Sequence, residues 1–101
     1  MEQFGLSTET IARVKEVFAL YPEIERVVIY GSRAKGNYKP GSDIDLTLIG
    51  EHITEAMMLD LETRLDDLLL PYIFDLNRFS SLQNQALIEH IQRLGKPFYE
   101  K

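Results

Sequence analysis

The sequence predicts an α/β (α+β) domain, a small mixed β-sheet covered by helices on one face. Three observations lead there. Short β-branched runs alternate with stretches of helical periodicity, in the order αβ(α)βαβα. A long helical stretch separates the second and third strands, which suits a crossover rather than a hairpin. The 101 residues, 45% of them hydrophobic, suffice for one core, so residues 1–101 are read as a single domain.

Each element has its own signals. Ser7 can cap a first helix with Glu9 in its first turn, and Ile11, Val14, Phe18 and Tyr21 recur at helical spacing until Pro22. Arg26 to Tyr30 is a β-branched run and reads as a buried strand. Gly31 breaks it, and Ser32 to Lys35 can form one helical turn before Gly36. Asn37 to Gly41 is a loop by composition. Acid and apolar residues alternate from Asp43, as a second strand to Ile49 should. Thr54 can cap a helix to about Leu70, with Met58, Leu61, Leu65 and Leu68 as its buried stripe and Pro71 as its stop. Tyr72 to Leu76 is the third strand of a sheet of three or slightly more. Ser81 can cap a last helix lined by Leu87, Ile91 and Leu94, which Gly95 and Pro97 end.

Composition removes several chemistries. There is no cysteine, so disulfides, thiolate–zinc sites and a cysteine nucleophile are excluded. The net charge is −5 and the pI about 4.9. Phosphate-binding surfaces usually show the opposite balance, so direct nucleic-acid binding is not expected, and cations and basic partners are favoured. The start, Met1 to Gly5, lacks the basic and apolar segments of a signal peptide. The longest apolar run, Leu68 to Phe74, is too short to span a bilayer. A cytoplasmic protein without membrane contact is the expectation.

The chemistry concentrates in two short segments. In Gly41-Ser42-Asp43-Ile44-Asp45-Leu46, two acids at i, i+2 on a strand share a face. Such a pair repels itself unless a cation sits between, although both acids can also simply face solvent. Asp75, embedded in Ile73-Phe74-Asp75-Leu76, favours the metal reading. A third acid on a neighbouring strand would make an oxygen-rich cluster suited to two Mg²⁺ ions. Eleven residues before Asp43 stands Ser32, in Gly31-Ser32-Arg33-Ala34-Lys35-Gly36. Gly31 permits close backbone approach, and Ser32 opens a turn whose free N–H groups favour an anion. Arg33 and Lys35 can offset phosphate charge. Alone, the segment reads equally as a plain strand-to-helix turn. His52 and His90 stand alone and are read as surface or capping residues. Tyr30 is read as core and Tyr38 as a loop anchor. Glu55, Asp60, Glu62, Asp66 and Asp67 give the middle helix an acidic, solvated face.

The combined pattern, G-S-x-A-x-G followed by S-D-x-D-L and a later strand Asp, resembles the DNA polymerase β-like nucleotidyltransferase superfamily. In length it is most similar to the minimal nucleotidyltransferases, and the likeness runs through the terminal Ile91-x-x-Leu94-Gly95-x-x-Phe98-Tyr99. Where many relatives carry Arg in the Gly-Ser motif this chain has Lys35, which keeps the charge. The resemblance implies that Asp43, Asp45 and Asp75 ligate two Mg²⁺ ions and carry catalysis, with Asp75 also accepting the proton of the attacking hydroxyl. It implies that Gly31 and Ser32, with Arg33 and Ser42 beside them, bind the nucleotide, with ATP as substrate. The partner it implies is a helical HEPN-type toxin, which this chain would neutralise as an antitoxin by transferring AMP to a tyrosine. Neutralisation by contact alone and nucleotidyl transfer to a small molecule are the alternatives.

Overall fold

The structure, a computed structural model, describes residues 2–101. Their order is α1 (Thr8–Ala19), β1 (Arg26–Tyr30), α2 (Ser32–Lys35), β2 (Ile44–Ile49), α3 (Glu55–Asp66), β3 (Phe74–Arg78), a 3₁₀ turn (Phe79–Ser81), α4 (Gln85–Leu94) and β4 (Lys96–Glu100). The strands lie in the order β3-β2-β1-β4. β1 is antiparallel to both β2 and β4, and β2 is parallel to β3. The crossover expected from the long middle helix is therefore present, with α3 making the connection.

Strand alternation sorts the sheet into two faces. Val27 and Ile29 of β1 lie opposite Leu48 and Leu46 of β2. They join Ile11, Val14 and Phe18 of α1 and Met58, Leu61 and Leu65 of α3 in one core. The helix starts are held as their caps predict: the Ser7 hydroxyl accepts the Thr10 N–H, and the Thr54 hydroxyl accepts the Met57 N–H. The other face carries Val28, Tyr30, Asp45, Thr47 and Asn77. Here α4 lies against the sheet, with Ile91 buried and the His90 ring edge-on to Tyr30 at 6.1 Å. Helices thus cover both faces rather than one.

Other details depart from the sequence reading. A fourth strand, β4, follows Gly95 directly, where Pro97 was read as a mere block to helix continuation. Pro97 fits because β4 is an edge strand. α4 is capped by Asn84, whose side chain accepts the Leu87 N–H, not by Ser81, which lies in the 3₁₀ turn. Leu94 is exposed, beyond the buried stripe. α3 ends at Asp66, because the chain turns through Leu69 at φ 56° before Pro71. β3 runs Phe74–Arg78, two residues later than expected at each end. Asp43 falls just outside β2, which starts at Ile44.

Candidate active site

One end of the sheet gathers the chemistry. β1 runs toward it and ends at Tyr30, while β2 and β3 start from it. Asp45 is directly opposite Tyr30 on one side and Asp75 on the other. Neighbouring strands are about 4.8 Å apart, so two carboxylates face each other across that spacing. Asp43 stands two residues before Asp45, on the approach to β2. Asp43 and Asp75 are exposed and Asp45 is half-buried.

Asp45 carries the electrostatic mark of the site. Burial raises the proton affinity of the Asp45 carboxyl above the ordinary range; Asp75 and then Asp43 add to it, while His90 and Arg33 pull the other way. A divalent cation among them would relieve that repulsion, and the all-oxygen donor set fits Mg²⁺. Among the described residues, no three acids or imidazoles are grouped closely enough to hold a metal ion on their own.

Beneath the acids lies a polar chain that sequence reasoning did not find. The Thr47 hydroxyl donates to the Asn77 side-chain carbonyl at 2.5 Å, and the Asn77 amide donates to the Tyr30 hydroxyl at 2.7 Å. Burial, ahead of every other influence, raises the Tyr30 phenol above its ordinary range. It stays a neutral hydrogen-bonding wall at physiological pH. The signal was present as alternation: Thr47 and Asn77 each follow an acid by two residues, so they share its face.

At the end of β1, Gly31 adopts φ 74°, ψ −153°, a region open essentially to glycine alone. A Cβ there would collide with Asp45 Oδ2. The turn and the inner acid are therefore in contact because position 31 has no side chain. Gly31→Ala should cost roughly 1–3 kcal/mol of stability through backbone strain and push Asp45 aside. A fall in melting temperature together with weakened MgATP binding checks this; an alanine variant with wild-type values for both would refute it. His90 from α4 also reaches this turn, its Nε2 accepting the Gly31 N–H at 3.1 Å. A lone histidine in a helix gives no sequence sign of such a partner.

Arg33 and Ser42, expected to contact the nucleotide, also have partners within the chain. The Arg33 guanidinium is buried. Its Nε and Nη2 donate to the Ser42 carbonyl at 3.1 and 2.9 Å, Nη1 donates to Phe4 at 2.8 Å, and Nη2 also reaches Pro40 at 3.4 Å. The group lies over the rings of Tyr38 and Tyr72, 5.3 and 5.1 Å from their centroids. Arg33 thus fixes the loop that delivers Asp43, and Tyr38 is an anchor of that loop as expected. The Ser42 hydroxyl accepts the Lys39 N–H at 2.8 Å and retains its own proton to donate. Ser32 opens α2 at the site and Lys35 is exposed.

Comparison with known proteins bears on the fold and the family. No curated protein matches the sequence significantly. Among solved structures, a chain of a toxin–antitoxin with AMP-PNP is 20% identical, with a TM-score of 0.72 over 95% of this chain and 75% of that one. The toxin–antitoxin MntA–HepT gives 15% identity and a TM-score of 0.68 over 94% and 74%. A structure of tri-AMPylated Shewanella oneidensis HEPN toxin in complex with MNT antitoxin gives 16% identity and a TM-score of 0.62 over 91% and 73%. At these identities the likeness is one of fold. Residues 12–101 match the family described as polymerase beta, nucleotidyltransferase, and the chain belongs to that family.

Proposed function

We propose that this chain is an antitoxin that transfers AMP from MgATP to a tyrosine hydroxyl on a helical HEPN-type partner toxin. The observation that carries the reading is Asp45, set in register with Asp75 and in contact with the Gly31 turn. Family membership supports nucleotidyl transfer. The likeness to toxin–antitoxin structures, one with AMP-PNP and one with an AMPylated toxin, supports the nucleotide and the partner. The charge of −5 supports a protein acceptor over a nucleic acid. Residues 1–101 act as one minimal transferase domain. Among the described residues no helix is long and apolar enough to cross a membrane, and the reaction is assigned to the cytoplasm.

In this reading Asp43 and Asp45 hold two Mg²⁺ ions and Asp75 completes one site. When bound, the metals supply charge stabilisation at the attacking and leaving oxygens. Gly31, Ser32 and the Ser42 hydroxyl hold the β- and γ-phosphates, while Arg33 keeps the Asp43 loop in place. The tyrosine hydroxyl gives its proton to Asp75 as its oxygen attacks the α-phosphorus in line. The bond to the bridging oxygen breaks, and pyrophosphate leaves.

Incubation with MgATP and a HEPN-type partner protein should add the mass of AMP to that partner. Asp75→Asn should still bind both but transfer about 10²–10⁴-fold more slowly, the usual contribution of a positioned base. If Asp43→Asn/Asp45→Asn neutralises the partner as well as wild type does, and no AMP is ever found on it, neutralisation works by contact.

A further inference from the structure

Gly31 lies one residue beyond the end of β1. β4 pairs with β1 only as far as Ile29, opposite Lys96. The Gly31 N–H therefore has no strand to bond to, and the imidazole of His90 takes the place of the missing carbonyl at 3.1 Å. The Gly31 carbonyl accepts the Lys35 N–H at 3.0 Å, so the imidazole is what restrains the N–H side of a residue that has no side chain to wedge its own peptide plane. The imidazole is itself held: half-buried, it rests edge-on against Tyr30 at 6.1 Å. Tyr30 pairs with Asp45 across the strands, so the ring contact places the imidazole on the catalytic face.

We propose that His90 is a positioning residue for nucleotidyl transfer. It pins the Gly31 peptide from α4, so that the turn keeps its fit against Asp45 and presents Ser32 to the triphosphate tail. The inference rests on the reading that Gly31 and Ser32 hold that tail. His90 acts through Gly31 and touches no reacting atom. What the role requires is a hydrogen-bond acceptor at the Nε2 position. A glutamine carbonyl can reach there; asparagine is one carbon short, and alanine has no acceptor.

The test compares His90→Ala, His90→Asn and His90→Gln. Calorimetry gives affinities for MgATP and AMP, steady-state assays with the partner as acceptor give KM and kcat, and melting curves check folding. His90→Ala and His90→Asn should weaken MgATP binding and raise KM for ATP by about 3- to 10-fold, the value of one neutral hydrogen bond. AMP affinity and kcat should stay within about twofold, and His90→Gln should recover most of the loss. Failure of glutamine to outperform asparagine, with both folded, would overturn the acceptor role. Equal losses for ATP and AMP would overturn it too. Ser32→Ala separates this inference from its premise. If Ser32→Ala discriminates against ATP relative to AMP while the His90 variants do not, only the role of His90 falls. If Ser32→Ala does not discriminate, the triphosphate lies elsewhere and both readings fall.

Discussion

Asp45→Asn is expected to abolish MgATP binding and transfer while raising the melting temperature of the metal-free protein. Asp45 is the inner carboxylate, in register with Asp75 and touched by the Gly31 turn. Losing a ligand shared by two cations should remove several kcal/mol of transition-state stabilisation, on the order of 10³-fold or more in rate. The stability effect has the opposite sign. Burial, then Asp75, then Asp43 raise the Asp45 carboxyl above its ordinary 3.8, so the folded chain holds this proton more tightly than the unfolded chain. The stabilisation is complete below pH 3.8 and is lost as pH rises through the higher folded value. At neutral pH wild type keeps a repelling carboxylate that asparagine lacks. Metal-free wild type should therefore lose more melting temperature than Asp45→Asn between acid and neutral pH, and Mg²⁺ should stabilise wild type alone. Thermal scans across pH with and without Mg²⁺ check both halves. Equal Mg²⁺ stabilisation and equal MgATP affinity in the two proteins would remove Asp45 from the metal site.

Arg33→Ala should produce the largest loss of stability of any substitution near the site, about 3–5 kcal/mol. Its side chain is only 2% exposed, and truncation strips hydrogen bonds from the carbonyls of Phe4 and Ser42. It also removes the cation that both tyrosine rings contact. Against a typical domain stability of roughly 5–15 kcal/mol this is a large fraction, and each kcal/mol is worth about 4–8 °C in a domain of this size. Arg33→Lys should not restore it, because an ammonium cannot fork between carbonyls or stack on two rings. Residues 37–41 should become sensitive to protease in both variants. A melting temperature within about 2 °C of wild type for Arg33→Ala would show that the loop is held by other contacts.

These two residues also mark where the sequence was legible. Asp43 and Asp45 were readable because their relation is local: two residues apart, one face, one chemistry. The Gly-Ser turn, the Ser7 and Thr54 caps and the crossover were local in the same sense. The partners of Arg33 within the chain were not, since a cation beside a glycine-serine turn suggests a phosphate. Its burial depends on carbonyls of Phe4, Pro40 and Ser42 that the fold brings around it. His90 was opaque for a similar reason, its partner being a backbone N–H in the distant turn after β1. β4 was hidden because Lys96-Pro97-Phe98-Tyr99-Glu100 has charged ends and a proline, the look of a helix end rather than of an edge strand. Leu68 to Leu70 continued the helical pattern of α3 into a turn, and periodicity alone cannot see a backbone reversal.

The pairing of β1 with β4 also bears on how the chain is made. Arg26 pairs with Glu100, so one edge of a central strand waits for residues synthesised near the end of the stretch described. At roughly 5–20 residues per second, β1 stands open on that side for several seconds after it emerges. The Gly31 turn lacks its clamp over nearly the same interval, because His90 precedes β4 by only a few residues. β2 can zip onto β1 early, through α2 and the loop that follows it, but the exposed strand edge remains a template for wrong pairing until β4 docks. Slow, non-local closure of this kind predicts that the nascent chain acquires nucleotide-binding competence late and all at once.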